Sequence, residues 1–428
     1  MMPIAAKAVY VKREAAEDPR SMERINAMMP FVRCGAAPSV IDDDAWHQLV
    51  IDEHLNGMPR HGRHAANVEP VVVFNQFLYH HTPEKRSERR QRYPKLFAPA
   101  GTHDPYSGYG GWDWRKMGDE EYRRNTGRVC QPGYAMHSFW GCHFRCAYCN
   151  LGHVANIYVN VEDWVTHIEQ GLTHLDKAPD QNLFQWDNGT DVVCWEPEYG
   201  GTKLLVDLFA GQSDKYMEVY VGKSDHVDFM LDYDHRGHTI CCWSLGTESQ
   251  CRLIEPRSAG MEARIASARR CQEAGYTVRL RLSPMVPLRG WQEDIRHMLG
   301  RVFDEITPDL ITLEPLRFCT HEVLLSDFPE DSIDPEFMAA IAAIPADADD
   351  LTKSEFPDEY RIRMYRQAVG EIAKRSPRTP VGLCRETRRV WDALADDLNR
   401  MGQRPDDYVC NCGPTSAGCD QRLRGALR

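Results

Sequence analysis

The chain has 428 residues, of which 42% are hydrophobic and 27% charged, the balance of a soluble protein long enough for about two or three domains. A formal net charge of −12 argues against a general duplex nucleic-acid binder, which presents a basic face. No stretch reaches the roughly 18 apolar residues of a membrane span, and Lys7, Lys12, Arg13, Glu14 and Glu17 stand where a signal peptide needs an apolar run, so a cytoplasmic protein is expected.

In chain order, residues 1–130 form an N-terminal region with one clear strand at 71–74. A basic run follows, carrying Lys85, Arg86, Arg89, Arg90, Arg92 and Lys95, and reads as a solvated loop. The Gly- and aromatic-rich stretch 101–114 reads as irregular structure. From 131 to 320 the texture becomes alternating strand and helix. Apolar runs at 183–186, 217–221, 239–244, 277–282 and 310–313 are short buried strands. Helices are expected at 161–172, 201–208, 261–274 and 292–303, the third ending against Gly275 as a C-cap. Strands alternating with helices imply a parallel sheet with crossover helices, here an α/β fold built as a partial (β/α) barrel. Residues 321–428 form a more helical, charged C-terminal extension with a cysteine-rich tail.

The chain contains fifteen cysteines. In a reducing compartment they are explained by metal, catalysis or burial before disulfides. Cys142, Cys146 and Cys149 stand in C-x3-C-x2-C spacing within Gly141-Cys142-His143-Phe144-Arg145-Cys146-Ala147-Tyr148-Cys149-Asn150. Three thiolates at this spacing can converge on an iron–sulfur cluster. A structural zinc ion is a second reading, with His143 or His153 as fourth ligand. Three buried cysteines without a ligand are a third.

The triplet, with an aromatic residue just before its third cysteine and a strand ahead of it, resembles the radical S-adenosylmethionine superfamily. That resemblance implies a 4Fe–4S cluster on Cys142, Cys146 and Cys149, with one iron left open for S-adenosylmethionine, and a reductase partner such as flavodoxin or ferredoxin. From Cys142 to about Arg317 the chain is similar to the spore photoproduct lyase branch. The likeness rests on Tyr158-Val159-Asn160-Val161, Val221-Gly222-Lys223-Ser224-Asp225-His226-Val227, Trp243-Ser244-Leu245, Ile254-Glu255-Pro256, Glu273-Ala274-Gly275-Tyr276 and Gly290-Trp291-Gln292-Glu293-Asp294. It implies that Lys223 and Ser244 hold the methionyl end of the cofactor and that Tyr148 lies against the adenine. A lysine suits that role because a cation pairs with a carboxylate. Two positions depart from the lyase. Asn188 stands where the lyase carries its hydrogen-donor cysteine, and Asn150 stands where it has a tyrosine. An amide is a poor hydrogen-atom donor to carbon, so the scaffold is shared while a small-molecule substrate is expected, in natural-product or organo-metalloid chemistry of lyase or transferase type. Repair of a DNA lesion and a non-catalytic zinc or iron–sulfur protein are the alternatives.

Cys410, Cys412 and Cys419 form a second group, C-x-C-x6-C, beside Gly413, Pro414 and Gly418. Three readings stand: an auxiliary iron–sulfur cluster completed by Cys384, Cys319 or a substrate atom; a trap for a soft metal or metalloid; and a mobile tail. If the sulfurs act at the active site, they are its catalytic thiols. Cys241 and Cys242 are adjacent within a strand, face opposite ways, and read as core residues. No histidine pair shows a recognised metal spacing on a clear helix.

Overall fold

A computed structural model of the chain describes residues 1–55, 69–98, 103–115, 120–149, 151, 154–175, 181–186, 189–401, 403–405 and 408–412. Its main sheet has eight strands: β1 (Trp112–Arg115), β2 (Gly133–Met136), β3 (Leu183–Trp186), β4 (Tyr216–Gly222), β5 (Thr239–Ser244), β6 (Thr277–Met285), β7 (Leu310–Pro315) and β8 (Val381–Leu383). They lie side by side in sequence order, and every pairing is parallel except β1 with β2. This is the partial barrel expected from the alternating pattern. All residues of β3 and β5 are buried, which is why these strands read as continuous apolar runs, as in a parallel sheet covered on both faces. The sheet draws β1 and β8 from outside 131–320.

The crossover helices follow their apolar stripes. Helix α1 (Val161–Leu172) buries Val161, Trp164, Ile168 and Leu172, and its first turn carries Glu162 and Asp163 at the positive end of the dipole. Helices α2 (Gly201–Ala210), α3 (Met261–Glu273) and α4 (Trp291–Glu305) cover later strands. Helix α3 ends at Ala274, with Gly275 beyond it at φ +91°, a backbone geometry that suits glycine.

The first region is more ordered than its sequence suggests. Ser39–Ile41, Ala8–Lys12, Val71–Asn75, Val154–Tyr158 and Phe139–Trp140 form a second, five-stranded sheet in that spatial order. The basic run is a helix, Pro83–Arg92, and not a loop. Thr82 caps it, its hydroxyl accepting from the Lys85 N–H, and Pro83 occupies the first turn. Its charges have local partners: Arg89 pairs with Asp43, Arg92 with Asp44, and Arg86 and Arg90 lie over Tyr109 and Phe97. Within 101–114, residues 112–114 belong to β1.

The C-terminal extension is clasped to the rest by a buried ion cluster. Arg128 and Arg317 both reach Glu355, at 2.8 and 2.5 Å, and Arg317 and Arg361 both reach Glu386, at 2.6 and 3.0 Å. Buried charges persist only when paired in this way. Among the described residues no helix is long and apolar enough to cross a membrane.

Candidate functional site

The loop carrying Cys142, Cys146 and Cys149 leaves Phe139–Trp140 and returns into Val154–Tyr158, two antiparallel neighbours of the second sheet. Gly141 makes the exit possible. Its φ is +97°, and a Cβ on it would lie 1.6 Å from the Val154 carbonyl oxygen. The Ala147 N–H donates to the Ile254 carbonyl at 2.8 Å, and Arg145 pairs with Glu69 at 3.0 Å. With the loop anchored at these points, all three cysteines line one cavity of about 300 Å³.

Lys223 and Tyr148 line the same cavity. Lys223 follows Gly222 at the end of β4, and its backbone N–H donates to Asp191 Oδ1 at 2.5 Å. A Cβ on Gly222, at φ +68°, would fall 1.9 Å from that oxygen. The Lys223 ammonium stands 5.6 Å from the centroid of the Tyr148 ring, a cation–π geometry. The Tyr148 hydroxyl donates to Glu255, which pairs with Arg264 at 2.5 Å; both of those side chains are fully buried. Burial opposes the Glu255 charge, but Arg264 and Lys223 outweigh it and hold the carboxyl at about 2. Burial also opposes the charge on Lys223, yet Cys146 and Tyr220 when ionised, with Glu255 and Asp191, raise its pKa above the ordinary lysine value, and of these Glu255 is the group held ionised by its surroundings. The cavity therefore holds a fixed cation suited to a carboxylate.

The three sulfurs fit an iron–sulfur group. Burial pushes the Cys142 and Cys146 thiols up; Asp191 adds to it at Cys142, while at Cys146 the Lys223 cation opposes it and Glu255 adds to it. Bare thiolates at Cys142 and Cys146 are thus disfavoured, and a cationic core is what would let them ionise. Among the described residues they are not collapsed into the close spacing that a single metal ion needs, since no trio including them has its ligand atoms within 4.8 Å of one another. No described histidine or fourth cysteine joins them on the cavity wall: His143 is turned toward Cys194, with Nδ1 3.6 Å from that sulfur, and His153 lies outside the described residues.

The remaining wall is mixed. Phe144, Leu151, Pro284, Leu316 and Phe318 are apolar, while Asp191, Tyr220, Arg281, Ser283, Glu314 and Arg317 are polar, with the Ser283 hydroxyl donating to Glu314 at 2.7 Å. Ser244 stands behind that wall, its hydroxyl donating to the Ser283 carbonyl at 2.6 Å. Asp191, Arg281 and Glu314 are not singled out by the sequence reading. The available signal was a charged residue within a strand, Glu314 in the largely apolar β7 and Arg281 beside Leu280 and Leu282 in β6.

Asn150, Asn188 and Cys419 lie outside the described residues. Cys194 is buried, with its thiol donating to the Asp191 carbonyl at 2.8 Å, and is absent from the cavity wall. Cys410 and Cys412 lie in a second, smaller pocket, which meets the first at Arg281. Away from both, His103, Asp113 and His137 bring their ligand atoms within 4.8 Å of one another, a grouping no sequence spacing revealed.

Comparison with known proteins bears on the fold and the family likeness. The family model described as spore photoproduct lyase matches residues 128–323. The spore photoproduct lyase of Bacillus subtilis (strain 168) is 28% identical over 193 residues, which are 43% of this chain and 56% of that protein. The spore photoproduct lyase of Geobacillus sp. (strain Y412MC61) is 27% identical over 192 residues, 42% of this chain and 55% of its own length. The chain thus spans about half the length of the curated relatives it matches. In three dimensions the likeness is wider. A spore photoproduct lyase complexed with dinucleoside spore photoproduct superposes with a TM-score of 0.60 at 17% identity, covering 89% of this chain and 98% of that one. A doubly substituted variant of the lyase with bound AdoMet and dinucleoside spore photoproduct gives 0.59 with the same coverage, and at this identity both establish the fold alone. In its matched segment and its half-barrel the chain is similar to the spore photoproduct lyases, the branch of the radical S-adenosylmethionine superfamily whose members use a 4Fe–4S cluster and S-adenosylmethionine.

Proposed function

We propose that the protein is a radical S-adenosylmethionine enzyme acting on a small-molecule substrate. The observation that carries this reading is the convergence of Cys142, Cys146, Cys149, Lys223 and Tyr148 on one cavity. When bound there, the cluster and S-adenosylmethionine supply reductive cleavage of a carbon–sulfur bond and a carbon radical. The chain's own residues do the rest. The cysteines hold three irons, Lys223 pairs with the methionyl carboxylate, and Tyr148, fixed by Glu255, offers a ring face to the adenine. Arg281 and Glu314 remain to orient a polar substrate.

One feature supports a small substrate. None of the basic residues of Pro83–Arg92 lies on the cavity wall; they serve local partners instead. Repair of a DNA lesion is the second reading, and the curated relatives named spore photoproduct lyase are what favour it. Asn188 at the lyase's donor position weighs against it. The experiment that separates the two offers the reduced, reconstituted protein the dinucleoside spore photoproduct together with S-adenosylmethionine. The expected result is cofactor cleavage without multiple-turnover release of thymines. Sustained repair would replace the small-molecule reading with the second one.

A further inference from the structure

The second pocket is lined by four cysteines, Cys130, Cys384, Cys410 and Cys412, contributed by three segments far apart in sequence. Cys130 follows the strand Arg128–Val129, Cys384 follows β8, and Cys410 and Cys412 belong to the terminal segment 408–412. That segment is seated against the sheet. Gln131 donates to the Tyr408 carbonyl at 2.9 Å, Gln185 to the Asn411 carbonyl, and Gln181 to the Cys412 carbonyl at 3.3 Å. Two glycines make room for it. A Cβ on Gly382 of β8 would lie 2.6 Å from the Val409 carbonyl oxygen, and one on Gly133 of β2 would lie 2.4 Å from that of Cys412. Such close backbone approach gives the four thiols a fixed, buried meeting place.

The surroundings are those of an anionic centre. Arg281 and Arg385 line the pocket, and the Nε of each is buried without a hydrogen-bond partner. Tyr408 Oη and Asn411 Oδ1, on the same walls, are likewise buried and unpartnered, and Asn411 is only 1% exposed. Orphaned polar atoms beside four thiols mark a missing occupant. None of the four is in a disulfide.

We propose that Cys130, Cys384, Cys410 and Cys412 bind an auxiliary 4Fe–4S cluster, separate from the one on Cys142, Cys146 and Cys149. Spacing favours a cluster over a single zinc ion. In a tetrahedral zinc site each sulfur is about 2.3 Å from the metal, leaving no room for even a water between them. Here the pocket keeps about 10 Å³ of free space, about what one water requires. No three of these thiols lie within 4.8 Å of one another, the same wide arrangement that Cys142, Cys146 and Cys149 show. Four cysteines with no open position make a closed site, in contrast to the three-cysteine site. Arg281 forms part of both walls, so the closed cluster would lie one side chain from the cavity that takes the substrate.

The test is iron and sulfide counting with Mössbauer spectroscopy on anaerobically reconstituted full-length protein. Wild type should hold about eight irons. The Cys142→Ala/Cys146→Ala/Cys149→Ala variant should keep about four as a 4Fe–4S cluster, and Cys384→Ser/Cys412→Ser should also keep about four. Circular dichroism confirms that each variant is folded, and the single variant Cys130→Ser serves if the double one is not. Wild type with four irons, all lost from a folded Cys142/Cys146/Cys149 variant, would overturn the inference, as would one zinc per chain bound at these thiols. If instead the Cys142/Cys146/Cys149 variant keeps every iron that wild type holds, the assignment of the first site fails and the auxiliary site stands.

Discussion

Lys223 and Glu255 show how single side chains set the site's chemistry. Lys223 is a buried cation whose charge is sustained by its surroundings, and a charge-assisted pair with a carboxylate is worth roughly 1.5–3 kcal/mol. Lys223→Ala should therefore weaken S-adenosylmethionine binding about 10- to 100-fold while the cluster's absorbance is unchanged, as equilibrium dialysis under nitrogen would read. Affinity equal to wild type would remove Lys223 from the binding site. Glu255 carries a pH signature. Its folded pKa, about 2, lies below its ordinary value of 4.5, so its ionised form contributes stability above that ordinary value. The contribution falls away as pH drops from about 4.5 toward 2 and does not change between about pH 6 and 8. Urea midpoints taken from about pH 5 to 3 should fall in wild type and flatten in Glu255→Gln; equal slopes would contradict the Arg264–Glu255–Tyr148 arrangement. At this scale the cysteine triplet was legible because its spacing is local. Asp191, Arg281 and Glu314 were not, since what unites them is the convergence of strand ends that a one-dimensional pattern does not display.

The loop between Phe139–Trp140 and Val154–Tyr158 is the element on which the site depends, and Gly141 is its tightest point. Gly141→Ala sets a Cβ against the Val154 carbonyl at a positive φ, so the backbone must shift and move Cys142 with it. The variant should fold with a half-barrel of unchanged helix content yet bind less than half the wild-type iron at the three-cysteine site, read as the loss of cofactor cleavage and of part of the cluster's visible absorbance. Full retention of both would mean that the loop tolerates another path. Buried helices and strands were read closely from the sequence: 161–172, 183–186 and 239–244 match the observed elements to the residue, because burial on both faces or along one stripe imposes an unambiguous period. The basic run was misread because charge dominates its composition. The helix is set instead by the Thr82 cap, Pro83 in the first turn, and Arg89 turned inward to Asp43.

Across the whole molecule, the half-barrel is completed by both flanking regions. Strand β1 comes from before the matched family segment and β8 from after it, and the Arg128–Glu355–Arg317–Glu386–Arg361 cluster ties the three parts together. None of this long-range closure can be read from local periodicity, because each ion pair joins residues whose numbers differ by at least 25. The cleft it leaves opens at the C-terminal ends of the strands, where Lys223 and Glu314 stand. The central claim is that this cleft performs reductive cleavage of S-adenosylmethionine. The most direct measurement is chromatographic detection of cofactor cleavage by the anaerobically reconstituted, dithionite-reduced protein, beside its Cys142→Ala/Cys146→Ala/Cys149→Ala variant. The account predicts cleavage products from wild type and none above the protein-free control from the variant; equal product from both, or none from a wild type shown to hold a reduced 4Fe–4S cluster, would contradict it.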